Sequence, residues 1–217
     1  QGGSRQHLGY LKVEAQANLE EAVKLHQQAR QKVSPDHIEF ANNLWDEANA
    51  HQKLAALGVS KQAHLEEAIR LYQSAREKFS SVGREYGICL MYEGLAKVEL
   101  AKFDIDARAN LESAVKLFEE SYLILDPATI TSEFAKMLSQ DAEARRLLAG
   151  LEVDVERNLD NALKLYGLAR ELLTDGEKIG LLLAREGDTH RELAELDVDA
   201  DTNLKEAIDL YLQARAL

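Results

Sequence analysis

Residues 54–76 read LAALGVSKQAHLEEAIRLYQSAR. Apolar residues in its second half lie at positions i, i+3, i+4, i+7 and i+10, namely Leu65, Ala68, Ile69, Tyr72 and Ala75. This spacing places all five side chains on one face of an α-helix. The segment therefore predicts a helix with one buried face, preceded by a turn.

The same segment recurs four more times along the chain. The five copies begin at Leu8, Leu54, Leu100, Leu148 and Leu193, so their starts are 46, 46, 48 and 45 residues apart. Helical units repeating at this interval bury their apolar faces only against their neighbours. The sequence predicts an all-α solenoid of about five antiparallel hairpins, each with a first helix (A) and a second helix (B).

Each predicted B helix follows a Val or Ile and then a hydrogen-bond acceptor. Ser60, Asp106, Asp154 and Asp199 are expected to cap the free backbone N–H groups of the first turn, and Glu14 is a weaker cap in the first copy. The B helices are predicted over residues 15–33, 61–80, 107–124, 155–173 and 200–216.

Small residues recur in the A helices at two positions seven residues apart, which is two helical turns. They lie on one edge of the helix, where we expect a neighbouring helix to approach closely. The pairs are Ala41 and Ala48, Gly87 and Gly94, Ala135 and Ala142, and Gly180 and Gly187.

The B helices also carry the spacing Ala-x-x-x-Tyr/Phe-x-x-Ala, with His26 in place of the aromatic residue in the first copy and Ser121 in place of the last Ala in the third. Facing a helix with small residues, this spacing resembles the tetratricopeptide repeat over nearly the whole chain. That family usually repeats about every 34 residues, so this is a long variant. The resemblance implies a right-handed superhelix that binds proteins. The full matches are Ala68/Tyr72/Ala75, Ala162/Tyr166/Ala169 and Ala207/Tyr211/Ala214.

We expect a single repeat domain over residues 1–217. Neither end shows the polar capping repeat that usually closes a solenoid, so we expect a fragment of a longer protein whose uncapped ends offer a route to homo-oligomers. The repeat units are predicted at about 1–33, 34–80, 81–124, 125–173 and 174–217.

The composition narrows the function classes. Lys and Arg number 26 and Asp and Glu number 38, which gives a net charge of −12. Nucleic acids and anionic membranes are bound through basic surfaces, so neither is expected as a partner. The lone Cys89 is interpreted as a small core residue. With no signal peptide or long apolar stretch in the sequence, we expect a cytoplasmic protein.

Two ladders of polar residues follow the repeat, and both are interpreted as structural. Asn18, Asn110, Asn158 and Asn203, with His64 in the equivalent place, are expected to bond the adjacent turn, although they could also bind a peptide backbone. The arginines are expected to complement helix C-termini. They are Arg30, Arg76, Arg170 and Arg215.

The sequence predicts no catalytic residue, metal or cofactor. Glu47 and His51 lie one turn apart and could form half a metal site, but the preferred interpretation is a pair of polar side chains in solvent. Residues 197–203 resemble the start of a calcium loop, yet Thr202 stands where that loop requires Gly.

The A-helix face opposite the B helices is the predicted partner-binding surface. Trp45 is its central candidate, as an aromatic anchor beside two amides, and the alternative is that Trp45 packs between repeats. The predicted contact residues are Asn42, Trp45, Asn49, Met91, Leu95, Lys136, Ser139 and Glu143.

The leading functional hypothesis is a non-enzymatic scaffold that binds a protein or a peptide along the concave A-helix surface. The alternative is a sensor or regulatory repeat domain of a larger signalling ATPase or effector protein. An all-helical enzyme is a third, disfavoured hypothesis.

Overall fold

A computed structural model describes the backbone of residues 2–217 and the side chains of residues 12–217. Gln1 and the side chain of Leu8, with which the first copy begins, lie outside the described residues. Residues 2–217 form nine α-helices and no strand, which confirms the all-α prediction. The helices are α1 (Gly2–Arg30), α2 (Ile38–Ala56), α3 (Lys61–Arg76), α4 (Arg84–Ala101), α5 (Ala107–Tyr122), α6 (Thr131–Gly150), α7 (Val155–Glu171), α8 (Gly176–Glu195) and α9 (Ala200–Ala216).

The chain divides into two compact units, Gln1–Ala107 and Arg108–Leu217. In the first unit α1 packs on α2, α2 on α3 and α3 on α4. In the second unit α6 packs on α7, α7 on α8 and α8 on α9. Each unit is therefore a stack in which a helix contacts the next helix along the chain, as in a helical-repeat solenoid. The handedness of the superhelix stays a prediction.

The predicted B-helix face forms the core of both units. Tyr72 and Tyr166 are completely buried, and so are the alanines on either side of each. The Tyr72 face packs against Leu44 and Ala48 of α2 and against Cys89 of α4. Burial raises the pKa of the Cys89 thiol to about 12, so this residue is an inert part of the core, as the sequence predicted.

The turn between the helices of a hairpin is closed by two crossed backbone hydrogen bonds. Between α2 and α3, Val59 N–H donates to the Leu54 carbonyl (3.1 Å) and Gly58 N–H to the Ala55 carbonyl (2.9 Å). This is the Schellman arrangement, which requires a left-handed residue after the helix, and Gly58 has φ of +92°. The same pair of bonds closes the turns at Val153 and Val198.

The residue after the turn also has a left-handed backbone, and this overturns the capping prediction. Ser60, Asp154 and Asp199 have φ of 33°, 39° and 39°, and none of their side chains bonds the first turn of its helix. A capping side chain requires an extended backbone at this position. Asp is instead favourable here because its short polar side chain tolerates positive φ.

The first copy lacks this turn altogether. A helix boundary was predicted at Glu14, but α1 runs without interruption from Gly2 to Arg30. Glu14 occupies the position at which Ser60, Asp106, Asp154 and Asp199 are left-handed, and its longer side chain favours positive φ less than theirs. The helix therefore continues through Val13.

Candidate functional site

Helix α2 carries three of the predicted contact residues, and they lie at different depths. Asn42 is exposed, while Trp45 and Asn49 are partly buried. The Trp45 ring meets the Tyr92 ring edge-on, with centroids 6.0 Å apart. Its indole N–H is buried and has no hydrogen-bond partner among the described residues. Trp45 thus packs against α4, while part of its side chain remains exposed on the A-helix face.

Asn49 accepts a hydrogen bond from the tyrosine of its own hairpin. The Tyr72 hydroxyl donates to Oδ1 of Asn49 (2.8 Å) and shares its proton with Oε1 of Gln52 (3.0 Å). Equivalent bonds run from the hydroxyl of Tyr166 to Glu143 (3.1 Å) and from that of Tyr211 to Asp188 (2.8 Å). Only the outer part of Asn49 remains free to meet a partner.

Glu143 was predicted to project from the surface, but in the second unit it is buried in a charged network. Its Oε2 accepts from Nη1 of Arg185 (2.5 Å) and Nη2 of Arg146 (3.3 Å) as well as from Tyr166. Burial alone would raise the pKa of Glu143, but Arg146 and Arg185 together lower it. Glu143 is therefore ionised and fully engaged within the fold.

The other predicted contact residues also differ in exposure. Met91 and Leu95 are buried, so the prediction that they project from the surface is wrong. The reason is that α4 is apolar on most of its sides, and counting from its small residues does not find a solvent-facing side. Lys136 is exposed and Ser139 is partly buried on α6.

A second ladder links three of the B helices, α1, α3 and α7, to the A helix that follows each of them. Arg30 donates to Glu47 (2.5 Å), Arg76 lies 3.4 Å from Glu93, and Arg170 donates to Glu186 (3.0 Å). The arginines were predicted as structural, but their carboxylate partners were missed. The signal was present, because the acids precede the second small residue of each A helix. They are Glu47, Glu93, Asp141 and Glu186.

Two residues of the amide ladder, Asn158 and Asn203, have the structural role that the sequence analysis preferred. The side-chain amide of Asn158 donates to the Val153 carbonyl (2.8 Å), and that of Asn203 donates to the Val198 carbonyl (2.7 Å). These bonds hold the turn closed at its apolar residue. They also use one of the two amide N–H donors that each side chain could offer to a peptide backbone.

A cluster of Glu47, His51 and Glu67 in the first unit has the composition of a metal site. One ligand atom of each lies within 4.8 Å of the others. Both Glu47 and His51 are buried, so their interpretation as polar side chains in solvent is wrong. Nδ1 of His51 lies 2.7 Å from Nδ1 of His64, and burial together with the charge of His64 lowers the pKa of His51.

Arginines already occupy the carboxylates of this cluster. Arg30 donates a hydrogen bond to Glu47, and Arg70 donates two to Glu67, from Nε (2.8 Å) and Nη2 (2.5 Å). Gln27 takes the remaining oxygen of Glu47 (2.8 Å). A divalent cation would add charge beside two guanidinium groups that balance the two carboxylates. The cluster therefore serves to join α1, α2 and α3.

Comparison with solved structures shows the fold. The chain is similar to a Podosopora anserina protein described as a putative kinesin light chain with nearly identical TPR-like repeats, with 19% identity and a TM-score of 0.53. The similarity covers 95% of this chain and 91% of the other. No protein-family model matches the sequence, and no curated protein matches it. The fold is thus that of a TPR-like helical repeat.

Among the described residues, no helix has both the length and the apolar character needed to cross a membrane.

Proposed function

We propose that this chain is a protein-interaction scaffold, a long variant of the TPR-like repeat that binds a protein or peptide through its A helices. The exposed and half-buried A-helix residues support this proposal. They combine an aromatic ring with amides and a hydroxyl, which is the mixed character of an interface anchor. The residues are Asn42, Trp45 and Asn49 in the first unit and Lys136 and Ser139 in the second.

The buried acids of the A helices favour a scaffold over an enzyme. Glu47, Glu143 and Glu186 each bond an arginine, and Asp141 bonds a tyrosine and an arginine. Groups held in this way join helices and leave little freedom for proton transfer to a substrate. We place the protein in the cytoplasm. Because its net charge is −12, we expect neither nucleic acid nor membrane as a partner.

A peptide library selected on the folded protein tests the proposed surface. Selected peptides are measured by fluorescence anisotropy against Asn42→Arg, Trp45→Phe and Lys136→Glu, with Lys116→Glu on α5 as an exposed B-helix control. We expect the A-helix changes to weaken binding by roughly tenfold or more and the control to leave it unchanged. Loss of binding only in the control would place the site on the B helices.

The alternative, a regulatory repeat domain of a signalling ATPase or effector, uses the same fold. It differs from the scaffold hypothesis in the protein to which the repeat domain belongs. Nucleotide-dependent affinity of the full-length protein for the selected peptides would favour it over a passive scaffold.

A further inference from the structure

Two loops that join a B helix to the next A helix contain the same tight turn. Between α1 and α2, His37 N–H donates to the Ser34 carbonyl (2.9 Å). Between α5 and α6, Thr129 N–H donates to the Asp126 carbonyl (3.1 Å). In each turn a proline stands at the second position, which its fixed φ suits. The first position is therefore the informative difference between the two turns, since it is serine in one and aspartate in the other.

The aspartate uses its side chain to hold its turn. Oδ1 of Asp126 accepts a hydrogen bond from the backbone N–H of Ala128 (2.9 Å). The acceptor is an anion, so this bond is stronger than one between two neutral groups. Ser34 places a neutral hydroxyl where Asp126 places a negative oxygen. A phosphate on Ser34 would supply that negative charge, because a phosphoserine carries about −1.5 to −2 charges at pH 7 and three acceptor oxygens.

The α1/α2 turn also meets the requirements of a protein kinase. Ser34, Pro35 and the two residues after them are exposed. Proline disfavours the helical backbone at the residue before it, so Ser34 keeps the extended form in which kinases bind the residue that they modify. Pro35 has no N–H, and proline-directed kinases select this feature directly after the modified residue. Ser34 is the sole serine or threonine of the sequence that precedes a proline.

We propose that Ser34 is a phosphorylation site for a proline-directed serine/threonine kinase. The Ser34 Oγ forms a bond to the γ-phosphorus of ATP, the bond from that phosphorus to the bridging oxygen of the β-phosphate breaks, and ADP leaves. The hydroxyl proton passes to the catalytic aspartate of the kinase. The phosphate then accepts from the backbone N–H of Asp36, as Asp126 accepts from Ala128. Phosphorylation thus gives the α1/α2 turn the side-chain bond that the α5/α6 turn already has.

The test treats the whole folded chain with a purified mitogen-activated protein kinase, which is proline-directed, and with ATP labelled at the γ-phosphate. We expect stoichiometric phosphorylation that mass spectrometry locates on Ser34 and that Ser34→Ala removes. Pro35→Ala should lower the initial rate of phosphorylation by roughly tenfold or more, since it restores an N–H after the serine.

Two further positions are matched controls, because the same turn surrounds them. Ser80 begins the turn between α3 and α4, where Gly83 N–H donates to its carbonyl (2.8 Å), but Ser81 follows it in place of a proline. We expect no phosphate on Ser80. Asp126→Ser puts a serine before Pro127, and this variant should accept a second phosphate at a rate similar to that of Ser34.

The role of the phosphate in the turn has a separate readout, which a phosphate free in solvent would not change. The amide proton of Asp36 should shift downfield and exchange more slowly in the phosphorylated chain, as measured by heteronuclear NMR. An Asp36 amide that phosphorylation leaves unchanged would contradict this role. An unmodified Ser34 in the folded chain would overturn the proposal, and so would equal rates for the parent and Pro35→Ala or phosphorylation of Ser80 at the rate of Ser34.

Discussion

Two junctions between a B helix and the next A helix differ in the residue that bonds the buried acid. They are the α1/α2 junction and the α5/α6 junction. In the first, Arg30 on the B helix bonds Glu47 on the A helix. In the second, Tyr122 replaces the arginine and donates its hydroxyl to Asp141 (3.0 Å), while the cation moves to Arg145 on the A helix itself. A buried acid is thus kept at each junction, but only the first receives its cation from the preceding B helix.

The difference shows how the two acids are stabilised. Glu47 has a guanidinium and an amide on its two oxygens. Burial raises the pKa of Asp141 to about 6, although Arg145 and the Tyr122 hydroxyl act to lower it. The carboxylate at the α5/α6 junction is therefore costly to ionise in the folded state.

The largest expected effect separates the two junctions directly. Glu47→Gln leaves Arg30, whose side chain is 20% exposed, without its counter-charge, so we expect a loss of about 3 kcal/mol in the free energy of unfolding. Asp141→Asn should change it by no more than about 1 kcal/mol, since the hydroxyl of Tyr122 keeps an acceptor. Urea unfolding at pH 7 measures both, with exposed Glu156→Gln as control. Equal losses in the two variants would show that the junctions are energetically alike.

The pH dependence of the α5/α6 junction follows from the raised pKa of Asp141. The pKa is about 6 in the folded chain against 3.8 for an ordinary aspartate, so the folded state binds the proton more tightly. Protonation then stabilises the fold by on the order of 2 kcal/mol as pH falls from 7 to 4. The difference in unfolding free energy between the parent and Asp141→Asn, measured at both pH values, isolates this contribution. A difference that is constant with pH would contradict it.

Equivalent small residues provide a second contrast between hairpins. The position of Gly187 is occupied by alanine in two other A helices, at Ala48 and Ala142. A Cβ at Gly187, however, would lie 2.8 Å from the Tyr211 ring. We expect Gly187→Ala to destabilise the chain by about 1 kcal/mol, because the clash outweighs the gain in helix propensity. At Gly167, where nothing lies within 4 Å of the methyl group that alanine would add, the same change should stabilise by about 0.5 kcal/mol. Thermal unfolding of both variants decides the sign.

The smallest expected effect concerns a histidine pair. His51 faces His64 in the first unit, whereas the equivalent His190 faces Asn203 (Nδ1 to Oδ1, 2.6 Å) in the second. Because the charge of His64 helps to lower the pKa of His51, His64→Asn should raise that pKa toward its ordinary value. We expect a stability change within about 0.5 kcal/mol. Proton NMR titration of His51 measures the shift, and an unchanged pKa would assign it to burial alone.

Much of the fold could be predicted from the sequence because the repeat displays its apolar face five times. The helices around Tyr72 and Tyr166 follow from spacing alone. The turn chemistry was harder, because Asp and Ser favour both helix caps and left-handed backbone. Only the structure shows that Asp154 and Asp199 take the second role.

The candidate surface was predicted less well, and the cause is physical. Counting along a helix identifies a face but not what covers it, so Met91 and Leu95 were placed on a surface although both are buried. The acid ladder could have been found, since 47, 93, 141 and 186 follow the repeat interval. Acids in helices are usually assigned to solvent, and burial beside an arginine is not visible in one sequence.

The arginine-to-acid bond has a consequence for how such a chain can change in length. Wherever Arg30, Arg76 or Arg170 ends a B helix, the next A helix supplies a buried acid, so a hairpin duplicated or deleted at these points meets a compatible partner. A deletion that joins Tyr122 to the helix after Arg170 would instead leave Glu186 without a cation. Gain or loss of whole hairpins is therefore permitted at some boundaries and opposed at the one where Arg145 supplies the charge.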